Sequence, residues 1–337
     1  MKKLVTIAVL LFSISSFSQV TEIGTVGMTV KDLNTSVKFY TEVLGFKKIS
    51  DKEFTGADYE KLENVFGLNI RVARLQLGDE QIELTDYLTS GGRSIPEDAK
   101  PNDLSFQHMA IVVSDMDKAF ALLKKMNVEF VSTAPQTLPK TIAPAEGVKA
   151  FYFHDPDKHN LELIYFPEGK GQAKWHVKTS KIFLGIDHTA IGISNTENSL
   201  HFYQTLLGIQ RKGESFNYGI EQEHLNNIEG ASLHITGLRA PIGPGIEFLE
   251  YLKPGAGKPY PADTKADDIW YWQTTLLVDD AALVYDKLKS NGYAVVSKGL
   301  IDLDIATGKK YKAFIVRDPD GHAMLIKSMQ DKNLALK

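Results

Sequence analysis

The chain has 337 residues, 43% of them hydrophobic, with no cysteine and a formal net charge of −4 at pH 7. That length and apolar content suit two domains of ordinary size, each with its own core. The mild acidity, with no basic run beyond isolated lysine pairs, argues against nucleic-acid and membrane-surface partners, and the missing thiols exclude disulfides, thiolate metal sites and a lipid-carrying cysteine.

In chain order, the first segment joins the charged Met1-Lys2-Lys3 to an apolar stretch, Leu4 to Phe12, and a small-residue run ending at Ser18. This is the pattern of a secretory leader cleaved after Ser18, so residues 1–18 are expected to be removed and the mature protein to be soluble, periplasmic or secreted. The apolar run falls short of the roughly 20 residues a permanent membrane helix needs. Next, Val26, Met28 and Val30 alternate with Thr25, Gly27 and Thr29, which predicts a strand. Asp32 is a plausible N-cap for a helix whose buried stripe is Leu33, Val37, Tyr40, Val43 and Leu44, and which Gly45 ends. Strands are expected at Val72 to Leu77 and Gln81 to Tyr87. A second unit repeats the plan: a strand through Met109, Ile111 and Val113, a helix through Met116, Ala119, Phe120, Leu122, Leu123 and Met126, then strands at Ala150 to Phe153 and Asn160 to Phe166. Pro167 to Phe183, with Gly169, Lys170, Gly171 and Lys174, reads as a linker. Beyond it the chain repeats itself. Ile193 to Ile209 echoes Val30 to Phe46, and Lys312 to Asp320 echoes Lys149 to Asp157, so that Tyr203 answers Tyr40 and Asp318 answers Asp155, both 163 residues on. The coarse plan is βαβββ four times over, giving a leader (1–18), a first domain (19–166), a linker (167–183), a second domain (184–329) and a tail (330–337).

Strand alternation sorts the polar candidates by face. His188 shares a face with Ala190 and Gly192, and His108 with Ala110 and Val112. Glu83, Glu162 and Glu247 each sit between apolar neighbours in a strand. They therefore point away from the face those neighbours bury, where an acid needs water, a donor or a cation. Glu250, three positions beyond Glu247, takes the opposite face.

The succession of a helix ending in Phe-Tyr-x-x-x-Leu-Gly, a strand ending in Ile-Glu-Leu, a strand opening with His, and Asp-Pro-Asp-x-His before Leu-Glu-Leu resembles the vicinal-oxygen-chelate superfamily, which includes glyoxalase I, the bleomycin-resistance proteins and the extradiol dioxygenases. The resemblance runs from Ile23 to Ser328. It implies an α+β fold in which four βαβββ modules form two domains with curved mixed sheets, and metal ligands that project from first and last strands. At the ligand positions the modules offer Thr25 and Glu83, then His108 and Glu162, then His188 and Glu247, then Gln273 and Leu325. If each half closed on itself, both cavities would lack ligands. If modules pair across the halves, as in glyoxalase I, the second and third collect His108, Glu162, His188 and Glu247, and the first and fourth keep Thr25, Glu83, Gln273 and Leu325. One live site and one relic are then expected.

The resemblance further implies one divalent ion, for which imidazole and carboxylate suit Ni, Co, Mn, Fe(II) or Zn. In a glyoxalase-like lyase or isomerase acting on a small oxygen-rich substrate, Glu162 would be the mobile base with Glu247 as its partner. Tyr218 and His224, in a segment between early strands, are candidate substrate contacts. His159 and His322 are expected to brace the Asp-Pro-Asp turns, and Trp270, Tyr271, Trp272 and the Phe-Tyr pairs to pack. An Fe(II) extradiol-type dioxygenase and a metal-free binding protein stay open as alternatives. Oligomerisation is not required, and export argues against ordinary glutathione-dependent detoxification, because that thiol is chiefly cytoplasmic.

Overall fold

The computed structural model describes residues 19–305 and 309–330. The leader-like residues 1–18 and nearly all of the expected tail lie outside that range. Module 1 comprises β1 (Val20–Val30), α1 (Leu33–Glu42), β2 (Lys47–Thr55), α2 (Ala57–Glu63), β3 (Asn69–Leu77) and β4 (Glu80–Tyr87). Module 2 comprises β5 (Gln107–Val113), α3 (Met116–Lys125), β6 (Gln136–Thr137), β7 (Lys149–His154) and β8 (Asn160–Tyr165). Module 3 runs through β9 (Phe183–Ile193), α4 (Thr196–Leu200) with a π-helical continuation (His201–Leu206), β10 (Gln210–Asn217), α5 (Ile220–Asn226), β11 (Ser232–Arg239) and β12 (Gly245–Lys253). Module 4 holds β13 (Trp272–Val278), α6 (Ala281–Ser290), β14 (Ile301–Ile305), β15 (Lys309–Arg317) and β16 (Ala323–Met329).

The local chemistry repeats with the modules. Each first helix starts at an Asp or Asn whose side chain accepts a backbone N–H of the first turn: Asp32 from Thr35 at 2.7 Å, Asp115 from Lys118 at 3.0 Å, Asn195 from Asn198 at 2.9 Å and Asp280 from Ala282 at 2.8 Å. Gly45 and Gly208 follow their helices with φ of 74° and 77°, the left-handed geometry that favours glycine.

Pairing crosses the two halves. One eight-stranded sheet runs β14-β15-β16-β13-β1-β4-β3-β2 and joins modules 1 and 4; the other runs β10-β11-β12-β9-β5-β8-β7-β6 and joins modules 2 and 3. The seams are the antiparallel pairs β1–β13 and β5–β9. The helices lie against the outer faces and tie the sheets together. One core combines Val26, Met28 and Tyr40 of module 1 with Met109, Ile111 and Phe151 of module 2, and the other combines Phe202, Phe248 and Ile191 of module 3 with Leu276, Val284 and Phe314 of module 4. The Phe-Tyr motif takes part in this tie. The Tyr40 hydroxyl donates to Asp155 at 3.1 Å and that of Tyr203 to Asp318 at 3.0 Å. His159 and His322 close the same turns on Asp155 at 2.8 Å and Asp318 at 3.0 Å, so both brace as expected. The inner, concave faces are left to carry cavities. Among the described residues no helix is long and apolar enough to cross a membrane.

Candidate metal centre

Four neighbouring strands, β12, β9, β5 and β8, place one candidate ligand each on the concave face of the second sheet. His188 lies opposite Ala110, Ala110 beside Glu162, His108 opposite Ala190, and Ala190 beside Glu247. The two alanines leave the space into which the four larger side chains lean. His108, Glu162 and His188 are buried, and their donor atoms lie within 4.8 Å of one another. His108 Nε2 is 3.1 Å and His188 Nε2 3.5 Å from Glu162 Oε2, and Glu247 Oε2 is 3.4 Å from His188 Nε2. Neither Nε2 has a hydrogen-bond partner. Buried polar atoms rarely go unpaired. Buried imidazole and carboxylate atoms that converge this closely fit a cation among them.

The charges agree with that fit. Burial alone would raise the Glu162 carboxyl, but the imidazoles of His108 and His188 against it prevail and hold it at about 2. Glu247 moves the other way, raised chiefly by burial and also by the charge of Glu162. Burial would lower His188, yet the carboxylates of Glu247, Asp187 and Glu162 raise it well above the ordinary imidazole range.

Asp187 supports this site from behind. Strand alternation would send it away from His188, but the β5–β9 register skips it: Ala110 pairs with His188 and Ile111 with Ile186. At this bulge Asp187 Oδ2 comes within 3.0 Å of His188 Nδ1. Its carboxylate also accepts from Arg239 Nη2 at 2.7 Å, Trp175 Nε1 at 2.8 Å and Gln172 Nε2 at 3.1 Å. Trp175 and Gln172 belong to the linker, which therefore forms part of the site. Burial would raise the Asp187 carboxyl, but His188, Arg239 and Trp175 hold it below the usual carboxylate range. An ionised Asp187 can only accept, so His188 keeps a proton on Nδ1 and turns Nε2 inward, the nitrogen that would give up its proton to a bound divalent ion.

Glu162, His188 and Glu247 line a cavity of about 260 Å³, and His108 lies buried behind them. Tyr218 and His224 do not line it; both are exposed. The phase of α5 instead turns Gln222 and Leu225 inward, and Asn217 at the end of β10 joins them.

The matching face of the first sheet holds Thr25, Glu83, Gln273 and Leu325, and is built against a cation. Arg74 stands directly opposite Glu83 and donates to it through Nε at 3.1 Å and more closely through Nη2. Its counterpart opposite Glu247 is Gly237. Leu325 packs in an apolar cluster with Tyr271, Ala313 and Ile315. Gln273 donates to Glu63 at 3.3 Å, and burial pushes the Glu63 carboxyl up to about 7. Among the described residues, His108, Glu162 and His188 form the one group of three or more such side chains poised for a metal. Arg74 against Gly237 was visible at the repeat offset of 163; Asp187 was not, because a bulge cannot be read from alternation.

Known proteins share this architecture. The profile of the glyoxalase/bleomycin resistance protein/dioxygenase superfamily matches residues 22–163 and 185–326. Glyoxalase I of Saccharomyces cerevisiae is 30% identical over 200 residues, 54% of this chain and 55% of that enzyme, so the match spans about half the relative's length. A 2-epi-5-epi-valiolone epimerase of Actinomyces is 32% identical over 152 residues, 43% of this chain and 79% of that protein. Among solved structures, glyoxalase I of Zea mays superposes with a TM-score of 0.59 at 17% identity, over 91% of this chain and 92% of that one, a likeness of fold. With both repeats matched along nearly their full length, the chain belongs to the glyoxalase/bleomycin resistance protein/dioxygenase superfamily.

Proposed function

We propose that the protein is a metal-dependent lyase or isomerase of the glyoxalase type, with one site where modules 2 and 3 meet. One observation carries the reading: the buried Nε2 atoms of His108 and His188 converge with Glu162 at the edge of a cavity that Glu162 and His188 line. His108, Glu162, His188 and Glu247 would hold a divalent ion, which when bound supplies Lewis-acid polarisation of a substrate oxygen. Glu162, expected from the sequence to be the mobile base, is gripped between both imidazoles and in our reading takes the holding role instead. Glu247 touches one imidazole only and its side chain is 26% exposed against 6% for Glu162, which suits it to take a proton from one substrate carbon and return it to the next. Asp187 would hold the Nδ1 proton of His188 and leave Nε2 as the atom that binds the ion.

The yeast and actinomycete relatives, a glyoxalase and an epimerase by name, support non-redox chemistry. A second reading rests on the tight trio itself, because two histidines and one carboxylate are also the ligand set of Fe(II) oxygenases. Proton exchange and oxygen consumption separate the two. A hydroxy ketone incubated with metal-loaded protein in D2O loses its α-proton signal without oxygen uptake if the first holds, whereas oxygen uptake with a catechol supports the second. The proposal also places the mature protein outside the cytoplasm, on the leader-like residues 1–18. N-terminal sequencing of the protein recovered from the cell envelope and medium should begin at Gln19.

A further inference from the structure

The cavity between modules 2 and 3 has two unlike walls. Leu138, Val148, Ala150 and Ile164 make one side apolar, while Asn217 and Gln222 face in from the other. The amides bond each other: Asn217 Nδ2 donates to Gln222 Oε1 at 3.1 Å. That leaves Asn217 Oδ1, on a residue only 4% exposed, with no donor. A buried carbonyl oxygen on a cavity wall needs an O–H or N–H from whatever occupies the cavity. In the repeat 163 positions earlier, Phe54 and Tyr59 replace these two amides and pack ring against ring at 5.1 Å. The polar wall is therefore confined to the sheet that keeps the histidines.

The charges narrow the ligand further. Four acids, Glu162, Asp187, Glu214 and Glu247, line the cavity with a single lysine, Lys170. The Lys170 ammonium donates to the carbonyls of Ala143 at 2.8 Å and Pro144 at 3.0 Å. Both nearby guanidinium groups are committed as well, Arg239 to Asp187 and Arg211 to Glu214. A ligand with several carboxylates, such as a glutathione conjugate, would enter an acid-lined pocket with no free guanidinium to receive it.

We infer that the substrate is a compact, uncharged compound with at least one hydroxyl that donates to Asn217 Oδ1 and an apolar flank against Leu138, Val148 and Ile164. Asn217 is thus a specificity-determining residue. The inference rests on the metal-dependent reading of the same site, so metal binding is measured first and separately, by titration with Mn2+. Three probes are then titrated into the Mn2+-loaded protein and followed by paramagnetic broadening of their proton signals: 3-hydroxybutan-2-one, butane-2,3-dione and S-methylglutathione. The hydroxy ketone should bind at least about tenfold more tightly than the dione, which keeps two oxygens but has no hydroxyl, and S-methylglutathione should be the weakest. Asn217→Leu should abolish the preference for the hydroxy ketone while leaving Mn2+ affinity unchanged. Equal binding of ketone and dione by the unaltered protein, failure of both to bind, or tighter binding of S-methylglutathione would overturn the inference even with Mn2+ bound. Failure to bind Mn2+ at all would instead remove the reading beneath it. The probe series on the unaltered protein decides the matter should the Asn217 variant not fold.

Discussion

Replacing Asp187 by Asn tests how the site holds its metal without touching a ligand. The His188 Nδ1–Asp187 contact at 3.0 Å is charge-assisted, and such bonds contribute about 1.5–3 kcal/mol. An asparagine that keeps its oxygen toward Trp175 and Gln172 turns its NH2 group toward Nδ1. His188 then has to accept there and carry its proton on Nε2, the atom that must be bare. At 1.4 kcal/mol per decade, the loss corresponds to roughly 10–100-fold weaker divalent-ion binding, the range known for outer-sphere partners. Competition against a chromogenic chelator near neutral pH measures it, with circular dichroism to show an intact fold. Affinity within about twofold of the original, in a folded variant, would refute the assigned tautomer.

Glu162→Gln should cost more metal affinity than Glu247→Gln, because Glu162 approaches both imidazoles and Glu247 only one; calorimetric titration of the two variants ranks them. Leu325→Glu, which copies the module-2 ligand into the other sheet, should create no site and should lower stability by roughly 3–5 kcal/mol in urea unfolding, since the new charge is buried among Tyr271, Ala313 and Ile315. The turn brace gives a pH signature. Burial would lower His159, but Asp155 beside it prevails and raises it to about 9, so its contribution is fully present below its ordinary value of 6.5 and is lost as pH rises through 9. The effect is on the order of 3 kcal/mol, and His159→Gln should flatten the decline in stability across that interval.

Much of this was legible in the chain. The offset of 163 fixed the modules, and the distribution of missing ligands pointed to pairing across the halves, which the seams β1–β13 and β5–β9 display. What stayed hidden depends on geometry that periodicity cannot express. The bulge brings Asp187 and His188, adjacent in sequence, to one hydrogen bond, where strict alternation separates them. The phase of a seven-residue helix decides that Gln222 rather than His224 meets the cavity. The segment read as a plain linker supplies Trp175 because an ionised carboxylate behind β9 needs a donor.

Metal content of the purified protein and three variants tests the central claim most directly. The account predicts one divalent ion per chain in the original and in Gln273→Ala, and none in His108→Ala or His188→Ala. An ion retained in both histidine variants would contradict it.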